Sequence, residues 1–532
     1  MVSTDVWGFI LSFPTNIRTY AAIGFSKDGK MIGSTAIVGW MPSSSEEGMK
    51  MYSLDGKSTK ELILDKGELY MMNASIAPAS TSLVYMIFLL KTTQPTTKLL
   101  FAIGPKCGFP NYPNYALFKH SDHISLVIDY SKGTIRKVPF QKLRRRIHAL
   151  FMIFTFKSAI SIGGTLNIVD FGANPNGETD SKNAILTTWA RACNSTTPTT
   201  IYVPIGRFLV GGSVVFKGRC NNKGITVIID GTLVANFNYN VIGNEGSWLV
   251  FDDVDGVSII GNGVLDGQGT SLWDYKRSGK SCLMGATNLR FANSNNIVIN
   301  GVTSLNSQMF HIVIDRCNTV RVQGIKVIAA GNSPNTDGIH VQLSSSVTIL
   351  NSNIATGDDC ISIGQGTTNL WIENIACGPG HGISVGSLGK ELEEFGVQNV
   401  TVKTVKFIGT ENGVRIKSWG RPSNGFARNI IFQHATMVNV QNPIVIDQNY
   451  CPNEKDCPGQ ASGVKISNII FQDIHGSSAT EVAVKLNCSP TNPCTGISLE
   501  DVMLTYKNQQ AESLCNHAGG VTSGVVQPNN CF

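Results

Sequence analysis

A short apolar pattern recurs after about residue 165 and restricts the fold more than any other feature of the chain. Apolar residues stand at i, i+2 and i+5 in Val320-Val322-Ile325, Leu370-Ile372-Ile375, Val400-Val402-Val405, Ile469-Phe471-Ile474 and Ile497-Leu499-Val502. The first two positions are strand alternation, with both side chains on one face. The break before the third marks a bend into a second face. Asn and Gly punctuate these bends, as in "NNIVING" and "NSNIATGDD". Strands this short, with no helical pattern between them, do not build βαβ units. They fit a parallel β-helix, in which each coil buries its apolar side chains against the next. The 54 glycines among 532 residues suit a fold with so many tight turns.

The first part of the chain differs. "TYAAIGFS", "GSTAIVGW", "LVYMIFLL" and "HISLVIDY" alternate as strands, and "KDGK" and "KCGFPNYPN" separate them as turns. Residues 1–131 therefore read as an antiparallel β-sandwich. Residues 132–164 read as a basic linker followed by an apolar segment, and 165–532 as the β-helix, so the whole chain is all-β. "KLRRRIHALFMIFTFKSAISIGG" (142–164) has the order of a signal peptide: a basic start, a short apolar run, then small residues. It stands in the interior, and a buried strand or helix after a basic linker reads equally well. The run is too short for a comfortable membrane span and is broken by Lys157. Met1 opens with no such signal, which counts against export of the chain as it stands.

Hydrophobic residues make up 42% and charged residues 15%, so the chain is neither disordered nor strongly basic. The net charge of +6 favours a polyanionic partner such as an acidic polysaccharide. No dense Lys/Arg patch with interleaved aromatics points to nucleic acid. Cys107 stands alone in the first part of the chain, and the other twelve cysteines lie between Cys193 and Cys531. An even set suggests disulfides and an oxidising compartment. Cys451/Cys457, Cys488/Cys494 and Cys515/Cys531 read as local loop staples. Zinc is the rival reading, but no Cys-x-x-Cys or clustered His accompanies them. Sequons at Asn73, Asn194, Asn399 and Asn487 are compatible with secretion and decide little.

Chemistry-bearing residues fall on a ladder. The step along the chain from Asp337 to Asp359 equals the step from Asp359 to His381, and Asp358 adjoins the middle rung. If one coil of the solenoid matches that step, these side chains share one surface patch. Carboxylates so close raise one another's pKa, which is how a glycosidase keeps one acid protonated beside an ionised base. In a regular strand Asp358 and Asp359 would face opposite ways, so the chain must bend there, and Gly357 permits it. Turn-capping is the competing fate of each Asp taken singly. His381 lies in "GPGHGISVG", where little side-chain bulk impedes a ligand, although a loop His is also the commoner bland outcome. Arg415 and Lys417 stand at i and i+2 of one strand, on one face. Two cations together repel unless an anion is shared, so an acidic substrate is a natural partner, a solvated strand edge the alternative. Tyr450 is a candidate sugar contact or a core residue. "GNGVLDGQG" (261–269) superficially resembles a dinucleotide loop, but with no helix pattern after it a β-turn is the better reading.

Together these residues resemble the polygalacturonase family of glycoside hydrolases, plant type. The likeness covers about 165–532, beginning at "NIVDFGANPNGETDS", with "NTD" at 335–337, "DD" at 358–359, "GHG" at 380–382 and "RIK" at 415–417 in order. It implies a right-handed parallel β-helix and metal-free hydrolysis of α-1,4-galacturonan (pectin, homogalacturonan) with inversion. It implies that Asp358 protonates the leaving oxygen, that Asp337 and Asp359 position and deprotonate water, and that His381 tunes the acid. Asn335, Arg415, Lys417 and Tyr450 would bind substrate, the two cations holding a galacturonate carboxylate, and Cys360 would pair with Cys377. A secreted monomer of the cell wall, binding neither nucleic acid nor membrane, is expected. Competing readings are a rhamnogalacturonan hydrolase, which the "RIK" clamp argues against, and a lyase, for which no calcium cluster is placed.

The upstream strands resemble a plant DOMON domain, a β-sandwich, here lacking its first strands. The resemblance implies haem b held by Met31 and His120, a pair suited to low-spin haem. A haem-binding redox module joined to an inactive β-helix is thus the alternative from another class, opposed by the intact Asp337, Asp358 and Asp359. The pairing reads as a truncated sandwich joined to a complete hydrolase that keeps its former signal peptide.

Overall fold

The computed structural model describes residues 163–279, 283–452, 457–529 and 531–532, and residues 6–137 with gaps at 15–19, 41–47, 57, 59–60, 67–68, 81–82, 93–94, 105–116, 118, 121 and 130–133. The chain divides into two compact units, Met1–Ser161 and Ile162–Phe532. The signal-like segment and Cys107 lie outside the described residues, apart from Gly163 and Gly164 at the segment's end.

Among the described residues, the first unit holds two antiparallel sheets. One has three strands, with Leu83–Lys91 between Val6–Pro14 and Tyr70–Ser80. The other has seven, in the order Thr134–Lys137, Asp122–Asp129, Lys98–Ile103, Tyr20–Ser26, Ser34–Trp40, Met49–Leu54, Leu62–Leu64. Alternation sorts each strand onto two faces. Ile23, Phe25, Leu99 and Phe101 join Phe9, Met86 and Phe88 in one buried cluster. Phe9 stacks on Phe88 at 5.2 Å and meets Phe25 edge-on at 5.1 Å. The other face of the seven-stranded sheet carries a second cluster with Tyr20, Val38, Trp40, Tyr52 and Leu117, against which Met31 packs. The expected sandwich edge at 131 is displaced: Thr134–Lys137 pairs antiparallel with Leu126–Asp129, so the sheet continues to Lys137. Basic composition marked a linker where Ile135 and its neighbours extend a hairpin.

The second unit is a parallel β-helix. Among the described residues, one curled sheet of twenty strands and a second of eleven run through it, almost wholly parallel. All fifteen residues of the five quoted i, i+2, i+5 triplets are buried. The bends are made by residues in the left-handed region, where short polar side chains are tolerated best. Asn351, Asn374, Thr404, His434, Asp473 and Asp501 form one such column with φ between 50° and 58°. Asn369, Asn399, Asn429 and Asn468 form part of another, in which the amides of Asn399, Asn429 and Asn468 each donate to the Asn one coil earlier. The ladder thus satisfies side chains where the backbone turns.

Inside, side chains stack coil on coil: Phe216 on Phe251 at 4.4 Å and Phe251 on Phe291 at 4.8 Å. Truncating Phe251 would cost about 3–5 kcal/mol. Helix α1 (Lys182–Asn194) buries Trp189 against Phe216 and Phe251 near the beginning of the β-helix. The Cys193–Cys220 disulfide ties it there. A second helix, α2 (Thr270–Arg277), corrects the expectation that no helix follows "GNGVLDGQG". The glycines of that loop answer to packing: a Cβ on Gly267 would lie 2.0 Å from Asn288 Oδ1, and one on Gly269 2.6 Å from the Ser307 carbonyl.

The strands of the eleven-stranded sheet are held in register by one buried column: Ile339, Ile361, Ile383, Val414, Ile444, Val484. Each enters the sheet from a loop, and successive loops stack along one corner. Variation in coil length is absorbed outside the column, so the corner can change composition while the core does not.

Candidate active site

Four successive corner loops supply the site, in the segments before Ile339, Ile361, Ile383 and Asn412. Backbone hydrogen bonds fix their stagger: Gly338 N donates to Asp359 O at 2.9 Å, and Cys360 N to Gly382 O at 2.7 Å. Asp337, Asp359 and His381 are therefore stacked, as their even spacing requires. Buried hydroxyls pin the first two loops together. Ser333 Oγ lies 2.6 Å from Thr336 Oγ1, which accepts from Gly357 N at 3.1 Å. Gly357 has no room for more, since a Cβ there would stand 2.2 Å from the Ser333 carbonyl. The chain bends through Gly357–Asp359, and both aspartates of the pair reach one site.

The three carboxyls have different surroundings. Asp359 is buried, and its Oδ1 accepts from Ser384 Oγ at 2.7 Å and Arg415 Nη2 at 2.9 Å, its Oδ2 from Lys417 Nζ at 2.9 Å. Burial alone would raise its pKa, but Lys417, Arg415 and these hydrogen bonds hold it below the usual carboxylate range. Asp337 is also buried but has no such pair among the described residues. Burial, then the charges of Asp358 and Asp359, push it well above the ordinary value, against weaker pulls from the Ser362 hydroxyl and Lys417. Asp358 is the carboxyl of the three that lines the open cleft. Its Oδ1 accepts from Asp359 N at 2.8 Å and lies 3.0 Å from His381 Nδ1.

His381 bridges two acids, since its Nε2 is 3.2 Å from Glu411 Oε2. Burial alone would lower the imidazole's pKa. The hydrogen bond and charge of Asp358, with Glu411 and Asp359, outweigh it and raise the pKa above its ordinary value. Glu411, Ser362 and Ser384 escaped sequence reading. Glu411 stands four positions before Arg415, the one spacing that could have flagged it.

Arg415 and Lys417 do share a face and an anion, and the anion within the protein is Asp359. Lys417 Nζ also sits 5.2 Å from the Tyr450 ring centroid, and Trp419 meets Tyr450 edge-on at 5.5 Å. Asn335, with φ +55°, Arg415, Lys417 and Tyr450 line the same cleft of about 1010 Å³ as Asp358 and His381. Asp358, Asp359 and His381 offer donor atoms within 4.8 Å of one another, a spacing open to a cation. Both Asp359 oxygens, however, already accept from cationic donors, whose charge opposes a metal ion.

Cys360–Cys377 closes beside this corner, and Cys451–Cys457, Cys488–Cys494 and Cys515–Cys531 pair as local staples. Cys317 is buried and unpaired, its Sγ 3.3 Å from the Asp315 carbonyl, so the twelve cysteines do not all form bridges. In the first unit, Met31 is half-buried in the turn after Tyr20–Ser26, and the His120 ring lies 4.6 Å from that of His123.

An acid-lined cleft along a parallel β-helix, with one depressed and one elevated carboxyl, is the equipment of a glycoside hydrolase. The profile of glycosyl hydrolases family 28 matches residues 193–524, and the chain belongs to that family. Within it, the chain is 64% identical over 392 residues to a polygalacturonase of Prunus persica, covering 73% of this chain and 99% of the relative. It is 42% identical over 373 residues to an exopolygalacturonase of Platanus acerifolia, covering 69% and 98%. The fold is that of the endo-xylogalacturonan hydrolase from Aspergillus tubingensis, with a TM-score of 0.59 at 22% identity over 66% of this chain and 97% of that one.

Proposed function

We propose that this glycoside hydrolase is a polygalacturonase that cleaves α-1,4-galacturonosyl linkages of pectin by single displacement. The observation that carries the reading is Asp358, the cleft-lining carboxyl, hydrogen-bonded to His381 in the cleft that Arg415 and Lys417 also line. In the reactive form one proton resides on the Asp358–His381 pair and Asp337 is ionised. Asp358 donates its proton to the glycosidic oxygen as the bond to the anomeric carbon breaks. Water attacks that carbon from the opposite face and gives its proton to Asp337. Elevated proton affinity makes Asp337 the stronger base of the two buried carboxyls. Asp359, with both oxygens engaged, instead fixes Arg415 and Lys417, whose summed charge exceeds its own and leaves attraction for a galacturonate carboxylate. That surplus favours galacturonan over a rhamnogalacturonan linkage. Asn335 and Tyr450 serve as further sugar contacts.

Reducing-end release from polygalacturonate tests this. Parent protein should release ends, and a folded Asp358→Asn variant should lose at least about 10²-fold in rate. No release by folded parent protein contradicts the assignment.

The paired cysteines support folding in an oxidising compartment, and we infer secretion to the cell wall and action as a monomer. Among the described residues no helix is long and apolar enough to cross a membrane. For the first unit we infer a DOMON-like sandwich. Met31 packs against an apolar cluster with Trp40, Tyr52 and Leu117, and Leu117 precedes His120 by three positions. Met31 and His120 would hold haem b, which supplies one-electron redox chemistry when bound. A Soret band on purified protein that is lost in Met31→Ala and His120→Ala supports this, and its absence after haem addition refutes it.

A further inference from the structure

The wall of the cleft continues past Arg415 toward the C-terminal coils. Ser384, Arg415, Val445, Lys485 and Leu514 are register partners on consecutive strands. Lys485 is flanked by Val484 and Leu486, both fully buried, so alternation turns it outward as Val414 and Ile416 turn Arg415. It lines the same cleft as Asp358. Arg415 and Lys417 are tied to Asp359, whereas no acid lies within salt-bridge distance of the Lys485 ammonium among the described residues. By register two acids stand equally near, Glu512 one strand later and, in the cleft wall, Asp447 one strand earlier. Asp447 Oδ1 already accepts from Asn449 N at 2.9 Å and Asn487 Nδ2 at 3.4 Å.

We propose that Lys485 is a specificity-determining residue that binds the carboxylate of a second galacturonate unit, farther from the scissile bond than the one at Arg415 and Lys417. The inference rests on the galacturonan reading above and extends it. Two rungs of parallel strand separate Arg415 from Lys485, about 10 Å, or about two pyranose rings along a chain laid in the cleft. An unpaired, half-buried ammonium facing a polyanion is a charge-assisted donor awaiting an acceptor. A neutral or fully esterified segment would gain nothing from it.

The test compares parent and Lys485→Gln protein on galacturonate oligomers of increasing length, with Lys485→Arg alongside. The expected result is a ratio of variant to parent kcat/KM that falls with chain length, to about 10-fold below unity on long chains. The loss should sit mainly in KM, and Arg should restore most of it. A ratio that stays near unity at every length, or one equally low on the shortest cleaved oligomer, overturns the proposal. Titration calorimetry of long oligogalacturonate into Asp358→Asn protein, with and without Lys485→Gln, separates this from the parent reading. Weaker binding in the double variant supports the subsite even if the parent hydrolyses nothing. Equal binding overturns it even if hydrolysis is intact.

Discussion

Asp359→Asn exposes how the site is held together. The substitution leaves size almost unchanged but removes the charge that Arg415, Lys417 and Ser384 share over 2.7–2.9 Å. Both cations are nearly excluded from solvent, with side-chain exposures of 9% and 8%. Breaking a buried ion pair from one side costs about 3–5 kcal/mol, because the remaining charge stays buried without its partner. We therefore expect Asp359→Asn to lose about 3–5 kcal/mol in urea denaturation at about pH 6. Adding Lys417→Met should recover part of that, with a coupling of about 2 kcal/mol in the double-mutant cycle. The pH dependence follows from the depressed carboxyl. A carboxyl whose folded pKa lies below its unfolded value of about 3.9 contributes stability above that value and loses it as pH falls through the folded pKa. The gap between parent and variant should narrow as pH drops below about 4. A gap below about 1 kcal/mol at pH 6, or one that acid does not narrow, would refute the claim that this carboxylate is the hub.

Asp337 should behave in the opposite sense. Its folded pKa is raised, so its favourable contribution is complete below about pH 3.9 and is lost as pH rises through the folded value. Asp337→Asn should therefore be more stable than parent at pH 7, equal to it near pH 3.5, and inactive, as denaturation at the two pH values and an activity assay would reveal. His381→Ala should shift the alkaline limb of the kcat/KM profile to lower pH, because it removes the imidazole that Asp358 and Glu411 hold above its ordinary pKa; an unmoved limb would place His381 outside the proton inventory. Gly357→Ala should cost about 1–3 kcal/mol and most of the activity, since its Cβ meets the Ser333 carbonyl; a stable, active variant would show that the loop pair is not rigid.

The solenoid was legible because burial is periodic: Val320, Val322 and Ile325 recur with the coil. The even ladder likewise held from Asp337 to His381, where consecutive coils are equal in length. It fails beyond, because the next coil, from Ile383 to its partner Val414, is longer. Glu411 and Ser384 therefore had no arithmetic to announce them. The anion shared by Arg415 and Lys417 was foreseeable as a need but not as Asp359, which lies more than two coils earlier in the chain. Helix α2 spans only Thr270–Arg277, too short for its periodicity to stand out. Cys193–Cys220 joins a helix to a later coil, a contact that only the wound chain creates.

The division of labour between Asp358 and Asp337 is the central claim, and leaving-group rescue tests it most directly. Parent, Asp358→Asn and Asp337→Asn would be assayed on an oligogalacturonide whose leaving group is an acidic phenol, which departs without protonation. The expected result is that kcat/KM of Asp358→Asn recovers toward the parent value while Asp337→Asn stays inactive. Recovery by Asp337→Asn and not by Asp358→Asn would contradict it and reverse the two roles.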